Sequence, residues 1–285
     1  MLCSFVWDPD RVFFIIPYLR HPVMWYGVLF ALGFIIGYFL VRKILADFLT
    51  NSKLPRKEAE KEALRLTDQG IVLIVIGALV GARLGHVFFY GWHYFKHHPQ
   101  DIFKVWEGGL ASHGGAIGVI IALVFFIWMN RKRRPRFTFL MAIDVVVIPT
   151  ALVGCFIRIG NFINQEITGI PTSLPWGVTF LHPLDGIPGV AVHPVQLYEA
   201  LFYLLVFCVL LALWLRDRST LGNGLLTGWF FVLVFGFRFV VEYLKTPQND
   251  AFDANGWIKM GQLLSIPFVL AGACLLFNYY ARKKR

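Results

Sequence analysis

Seven stretches of the chain are apolar enough, and long enough, to cross roughly 30 Å of hydrocarbon as helix. They fall at about 23–41, 71–92, 110–129, 137–157, 194–215, 222–244 and 259–281. In a bilayer core no water is available to pair an open sheet edge, so a spanning chain must be helical or close into a barrel. The runs lack the alternation of barrel strands. An all-α, polytopic integral membrane protein with about seven transmembrane helices is therefore expected. The balance of 57% hydrophobic to 15% charged residues agrees, and the mean hydropathy of +0.63 lies well above that of ordinary soluble domains. A further apolar piece, Val12 to Leu19, is too short to span and carries Pro17, so it is expected to lie along the interface as a surface helix or loop. The first 20 residues lack a basic region followed by an apolar stretch and a small-residue cleavage site, and no removable signal peptide is expected. No soluble stretch is long enough for a core of its own. Residues 1–285 read as one transmembrane domain without an internal repeat, with 158–193 a candidate for a small outer-face cap.

Lys and Arg set the orientation. The connections after the first, third and fifth runs, together with the C-terminal tail, hold 18 of the 27 basic residues, among them Arg42, Arg65, Arg131, Arg136, Arg216 and Arg285. The opposite connections hold 7, and Arg83 and Arg238 lie inside runs. This split predicts an N-terminus outside and a C-terminus in the cytoplasm. It also accounts for the net charge of +10 by topology and by attraction to anionic membrane lipids, so no nucleic-acid partner is expected. Four cysteines (Cys3, Cys155, Cys208, Cys274) stand far apart without a CxxC pair, so neither a disulfide, a metal nor any other cofactor is expected.

The residues able to do chemistry gather at one end of the predicted helices. Arg158 to Gly169 closes the fourth run and packs a cation, two carboxamides (Asn161, Asn164) and a carboxylate (Glu166) between glycines. Guanidinium offers a planar fork of donors suited to phosphate or carboxylate, and Glu166 can hold that fork in place. A loop whose polar groups satisfy only each other is the alternative. Trp25 and Tyr26 open the first run, Trp25 fitting an aromatic belt. The turn His113-Gly114-Gly115 opens the third, its glycines allowing close approach of backbone and ligand. His193 to Glu199 opens the fifth, and Arg238 and Glu242 close the sixth at i, i+4, on one helix face where they can pair. Arg83 must face protein or water, serving either function or a structural partner such as Asp144 or Glu107.

These motifs resemble those of the prolipoprotein diacylglyceryl transferase family. The string from Gly154 to Gly169 (GCFIRIGNFINQEITG) is similar to the family's signature. Trp25-Tyr26-Gly27, His113-Gly114-Gly115, His193-Pro194-x-Gln196-Leu197-Tyr198-Glu199 and Phe237-Arg238-Phe239-x-x-Glu242 match in the family's order. Met24 departs from the basic residue that members often have there, and Val234-Phe235 from a frequent Tyr-Gly pair. The resemblance implies a multi-pass enzyme of the bacterial cytoplasmic (inner) membrane with its site toward the outer leaflet. Arg158, Asn161 and Glu166 would bind phosphatidylglycerol, while His113 and Arg238 would be needed for turnover. Tyr26, Asn164, Gly169 and Glu242 would line the same cavity, and His193 and Arg83 complete the expected substrate-binding set.

The implied partners are phosphatidylglycerol, the lipobox of a prolipoprotein signal peptide and the surrounding membrane lipids. In the implied reaction a cysteine thiol attacks the glyceryl carbon of the lipid, forming a thioether and expelling glycerol phosphate. A free thiol ionises near pH 8.5, so a base is needed. Imidazole suits that task, which points to His113. Arg158 and Arg238 would stabilise the departing phosphate, with Glu166 and Glu242 orienting them. The rival from another class is a transporter or permease for an anionic or lipid-like substrate, which would show repeats and a midplane site on broken helices.

Overall fold

The computed structural model describes residues 5–18, 20–134, 137–247 and 257–283. Cys3, Leu19, Arg136, Lys284 and Arg285 lie outside the described residues. Seven helices among the described residues are long and apolar enough to cross a membrane, as expected. The chain forms two compact units, one comprising residues up to Leu40 together with those from Asp144 onward, the other Val41–Ile143.

In the second unit, α1 (Trp25–Asn51, entered from the first unit) and α2 (Arg56–Phe89) run far into the basic stretch that the hydropathy had left as a connection. Only residues 52–55 link them. The reason is amphipathic: Ile44, Leu45, Leu49, Ala59, Ala63 and Leu66 are buried there while Lys and Arg face out. Glu62, also buried, accepts from Arg65 (2.9 Å) and Arg133 (3.0 Å) and so ties the following basic connection to α2. α2 packs on α3 (Ser112–Asn130) through glycines. A Cβ on Gly85 would lie 2.7 Å from the Gly114 Cα, and one on Gly77 2.6 Å from the Gly118 carbonyl oxygen. Small residues at this spacing let two backbones touch where lipid supplies no hydrophobic drive for association.

The first unit is built on α4 (Phe139–Asn164), α5 (Val195–Arg216), α6 (Leu225–Val241) and α7 (Met260–Lys283). Asp144, fully buried on α4, supplies the missing cap of α6. Its carboxylate accepts from the backbone N–H of Gly222 (2.9 Å), Gly224 (3.0 Å) and Thr227 (2.9 Å). Those are the orphan donors of a helix start, presented by a turn in which Gly222 and Gly224 take φ of 85° and 78°.

Extended structure is confined to short pieces. β1 (Phe5–Trp7) pairs in parallel with β4 (Val178–Phe180), which pairs antiparallel with β5 (Ala191–Val192). β2 (Val12–Ile16) and β3 (His21–Met24) form a hairpin, Ile16 opposite His21 and Val12 opposite Met24. The surface helix or loop expected from Val12 onward is thus corrected to a strand at 12–16 and a turn at 17–18. A run of β-branched and aromatic residues, Val-Phe-Phe-Ile-Ile, favours the pleated form, and Pro17 ends it. The three-stranded sheet caps α4: Val178, Phe180 and Val192 pack with Phe162, and the Trp7 indole stacks on Phe162 at 4.8 Å while donating to its carbonyl.

Candidate active site

The fourth helix reaches Asn164, so Arg158 and Asn161 sit within its last two turns rather than in a loop after it. The chain then reverses through Gln165 and Ile167, both in the left-handed region (φ 56° and 57°) without being glycine. Gln165 is held there from three sides. Its side chain donates to Asp8 (3.1 Å) and accepts from the His182 N–H (2.8 Å), and its carbonyl accepts from Leu184 N–H (2.8 Å). Thr168 N–H donates to Asp185 (3.1 Å), whose carboxyl lies above its ordinary range because burial outweighs the hydrogen bonds it accepts. Gly169 then passes so close to the His193 carbonyl that any Cβ would collide with it, and it pairs as an isolated bridge with Lys245. The turn therefore joins the end of α4, the approach to α5 and the exit from α6.

What gathers at this junction is a buried ion network centred on Glu199, in the second turn of α5. Glu199 is inaccessible to solvent; one carboxylate oxygen lies 3.0 Å from Arg158 Nε, the other 3.0 Å from Lys245 Nζ. Tyr203, one turn on, donates its hydroxyl to the Lys245 side of the same carboxylate at 3.3 Å. Lys245 also lies 3.3 Å from Glu242, and Lys259 donates to the carbonyls of Glu242 and Lys245. Arg158 reaches Asn161 Oδ1 (3.3 Å), and Asn161 and Asn164 donate to one oxygen of Glu166 (2.8 and 3.2 Å). The guanidinium is thus held by Glu199 directly and by Glu166 only through Asn161, which corrects the expectation that Glu166 grips it.

Arg238 and Glu242 do not pair, although they lie one turn apart. Glu242 faces Lys245 and fits against Gly261, where a Cβ would meet its Oε1 at 2.5 Å. Arg238 Nε is buried and has no hydrogen-bond partner among the described residues. Tyr26 lies in the first turn of α1, half-buried, against Gly160; a Cβ there would come 2.7 Å from its ring. His193 Nδ1 is 3.2 Å from the Tyr198 hydroxyl, which also accepts from Trp176. Arg158, Asn161, Asn164, Glu166, Gly169, Tyr26, His193, Arg238 and Glu242 all belong to this first unit.

Arg83 and His113 belong to the second unit. Arg83 is 5% exposed and its nitrogens donate to carbonyls: Nε to Ile102 (2.8 Å), NH1 to Gly108 (2.7 Å) and Gly109 (3.3 Å), NH2 to Asp101 (2.5 Å), while the guanidinium lies over the Phe95 ring, 5.0 Å from its centroid. Glu107 does not pair with it, and Asp144 belongs to the first unit, where its carboxylate caps α6. The donors of Arg83 are spent on the 101–109 connection that leads into α3. His113 opens α3 exposed, its ring 5.2 Å from that of Phe89 and 5.7 Å from that of Tyr90. The neighbouring Gly114 serves the contact with α2, so the glycine after His113 is a packing device.

Four residues of the network escaped the sequence reading as site residues: Glu199, Tyr203, Lys245 and Lys259. Glu199 lay in view at the end of the His193–Glu199 string, and its signal was a carboxylate inside an apolar run, where an unpaired charge is too costly to leave. Lys245 had only its spacing of three from Glu242 to mark it.

Seven apolar helices define an integral membrane protein, and in its first unit the ends of α4, α5 and α6 gather cations around a buried carboxylate. The chain belongs to the prolipoprotein diacylglyceryl transferase family, whose pattern matches residues 12–278. It is 46% identical to the phosphatidylglycerol–prolipoprotein diacylglyceryl transferase of Tolumonas auensis, over 98% of this chain and 99% of that one. Proteins of the same name from Porphyromonas gingivalis (42% identical, 95% of this chain and 93% of the relative) and Protochlamydia amoebophila (39%, 95% and 94%) are similarly close.

Proposed function

We propose that this protein transfers the diacylglyceryl group of phosphatidylglycerol to the lipobox cysteine of a prolipoprotein. The thiolate sulfur attacks the glyceryl carbon that bears the phosphate. A C–S bond forms, the C–O bond breaks, and its electron pair leaves on glycerol phosphate; the thiol proton passes to a base. The observation that carries this reading is the setting of Arg158. Its Nε is anchored on Glu199 and one terminal nitrogen on Asn161, so the guanidinium is fixed before substrate arrives. A preorganised cation needs no reorganisation as charge grows on the leaving oxygen, which is where electrostatic catalysis gains most. Arg238, with Nε unpaired, is the second cation for the phosphate. Lys245 neutralises Glu199 and Glu242, so that Glu199 orients Arg158 without cancelling the positive field. His113 takes the thiol proton in this reading, and Tyr26, Asn164, Gly169 and His193 shape the lipid site.

The protein is placed in the bacterial cytoplasmic membrane with this junction toward the outer leaflet, where the 18 to 7 distribution of basic residues puts it. Purified protein given labelled phosphatidylglycerol and a lipobox peptide is expected to yield the thioether and one glycerol phosphate per peptide. Uptake of the lipid across vesicles without thioether would replace the transferase by a transporter.

A further inference from the structure

Glu166 does more than steady Arg158: it turns two carboxamides from different segments so that their nitrogens are used and their oxygens are not. Asn164 Nδ2 donates to Glu166 Oε1 at 3.2 Å, and Gln196 Nε2 donates to the Glu166 carbonyl at 2.8 Å. Among the described residues nothing donates to Asn164 Oδ1 or Gln196 Oε1, both of them buried, and Gln196 as a whole has no solvent exposure. Rotating either amide would set oxygen against oxygen, so the acceptors are held in this orientation by their own partners. Two neutral acceptors fixed on one residue, without donors, are costly unless a substrate brings the donors.

We propose that Asn164 and Gln196 accept hydrogen bonds from the hydroxyls of the lipid's head glycerol, and so select a hydroxylated headgroup. The inference rests on the transferase reading above and adds the residues that set its headgroup specificity. A phosphodiester carries no donor, so its contacts go to Arg158 and Arg238, and the two carboxamide oxygens must be met by the part of the headgroup beyond phosphorus. An ammonium headgroup also donates, but it brings a second cation beside Arg158, whose NH1 lies 3.3 Å from Asn161 in the same cluster. Hydroxyls satisfy the acceptors without that repulsion.

The test sets phosphatidylglycerol against phosphatidylpropanol in the same mixed micelles, with a lipobox peptide as acceptor. Both lipids share the phosphodiester and three headgroup carbons; only one has hydroxyls. Both give the same thioether, so the ratio of released glycerol phosphate to propyl phosphate reads the ratio of kcat/KM directly. Wild type is expected to favour phosphatidylglycerol by about 100-fold, roughly tenfold for each buried acceptor left unmet. Gln196→Met and Asn164→Leu are each expected to reduce the preference about tenfold, chiefly by slowing phosphatidylglycerol. Asn164→Asp keeps an acceptor and loses the donor to Glu166, so overall rate falls while the preference persists. A residue that merely supports Glu166 would slow both lipids equally. A wild-type ratio near one, or a preference unchanged in both Gln196→Met and Asn164→Leu, overturns the inference. The wild-type ratio stands even if a variant fails to fold. Thioether from neither lipid overturns the transferase reading itself, and this inference with it.

Discussion

At the scale of single residues, the geometry separates groups that act by charge from groups that act by shape. Arg158 uses Nε for Glu199 and a terminal nitrogen for Asn161. Lysine has one nitrogen and cannot do both while meeting a phosphate. Arg158→Lys is therefore expected to lower kcat/KM on the order of 100-fold, in line with losing one preorganised donor, with folding retained. Initial rates over a range of phosphatidylglycerol concentrations check this, and wild-type kinetics would reduce Arg158 to a generic cation. Glu199 carries a different kind of effect. Replacing it by Leu strands Lys245, 3% exposed, with Glu242 as its one remaining carboxylate and leaves Arg158 without its anchor. Removing one partner of a buried pair costs about 3–5 kcal/mol, so Glu199→Leu is expected to lower thermal stability in detergent as well as activity. For His113 the expectation is kinetic. His113→Gln should slow the chemical step while leaving lipid binding near wild type, and raising pH toward the thiol's own ~8.5 should recover part of the rate, since more substrate arrives as thiolate. A parallel loss at all pH values assigns His113 an orienting role instead. The residue types of the site were legible from spacing and chemistry alone, but their partners were not. Arg238 and Glu242 share a helix face by sequence, yet Glu242 turns to Lys245, because pairing is decided by side-chain direction and by what the next segment presents.

At the scale of elements, the length of the apolar runs located all seven helices but not their ends. α1 and α2 extend through a stretch rich in Lys and Arg because its apolar residues recur on one face, a pattern that mean hydropathy averages away. The 12–16 strand was hidden for the opposite reason: a short apolar run gives no periodicity with which to choose between helix and strand. Glycines needed three dimensions. Gly114 stands beside a candidate catalytic histidine and reads as a ligand-approach device, whereas the structure spends it, with Gly118, on contact with Gly77, Gly81 and Gly85. Gly118→Ala tests that contact, since its Cβ would collide with the Gly77 carbonyl on a rigid backbone rather than with a side chain able to move. Overpacking of this sort costs about 1–3 kcal/mol. Lower resistance to SDS unfolding is expected for Gly118→Ala, and little change for Gly27→Ala, where a Cβ meets nothing within 4 Å. Equal stability of the two variants would remove the α2–α3 contact from the account. The cap depends on polar attachments as well as its apolar core. Asp8 accepts from His182 and Gln165, and the hydrogen bond from His182, followed by that from Gln165, holds its carboxyl below the ordinary range. Such a group stabilises above the pKa of the unfolded chain, about 4, and loses that contribution as pH falls toward its lowered value.

At the scale of the whole molecule, the distribution of charge is the ground for the proposed orientation, and the site residues take their proposed side of the membrane from it. Of the 27 basic residues, 18 fall in the connections after the first, third and fifth apolar runs and in the tail. Part of that charge also has local work. Arg65 and Arg133 bind Glu62, and Arg56 binds Asp47, so these residues anchor the ends of α1 and α2 as well as biasing topology. Neutralising a few of them would therefore mix a folding defect with a change of orientation. Fusions are the cleaner test, because they remove no basic residue. A reporter active only in the cytoplasm is expected to work when joined after Arg285 or inserted at Arg133. One active only outside is expected to work in the 181–189 stretch, which carries the exposed Leu181, Leu184 and Ile187 and lies beyond α4. With an odd number of spans the two termini must lie on opposite sides, so an N-terminal fusion gives an independent check on the same assignment. A cytoplasmic reading in the 181–189 stretch would put Arg158, Glu199 and Arg238 on the inner side. A precursor cysteine delivered at the outer leaflet could not then reach them, and the proposed reaction would lose its acceptor even with every distance in the site unchanged.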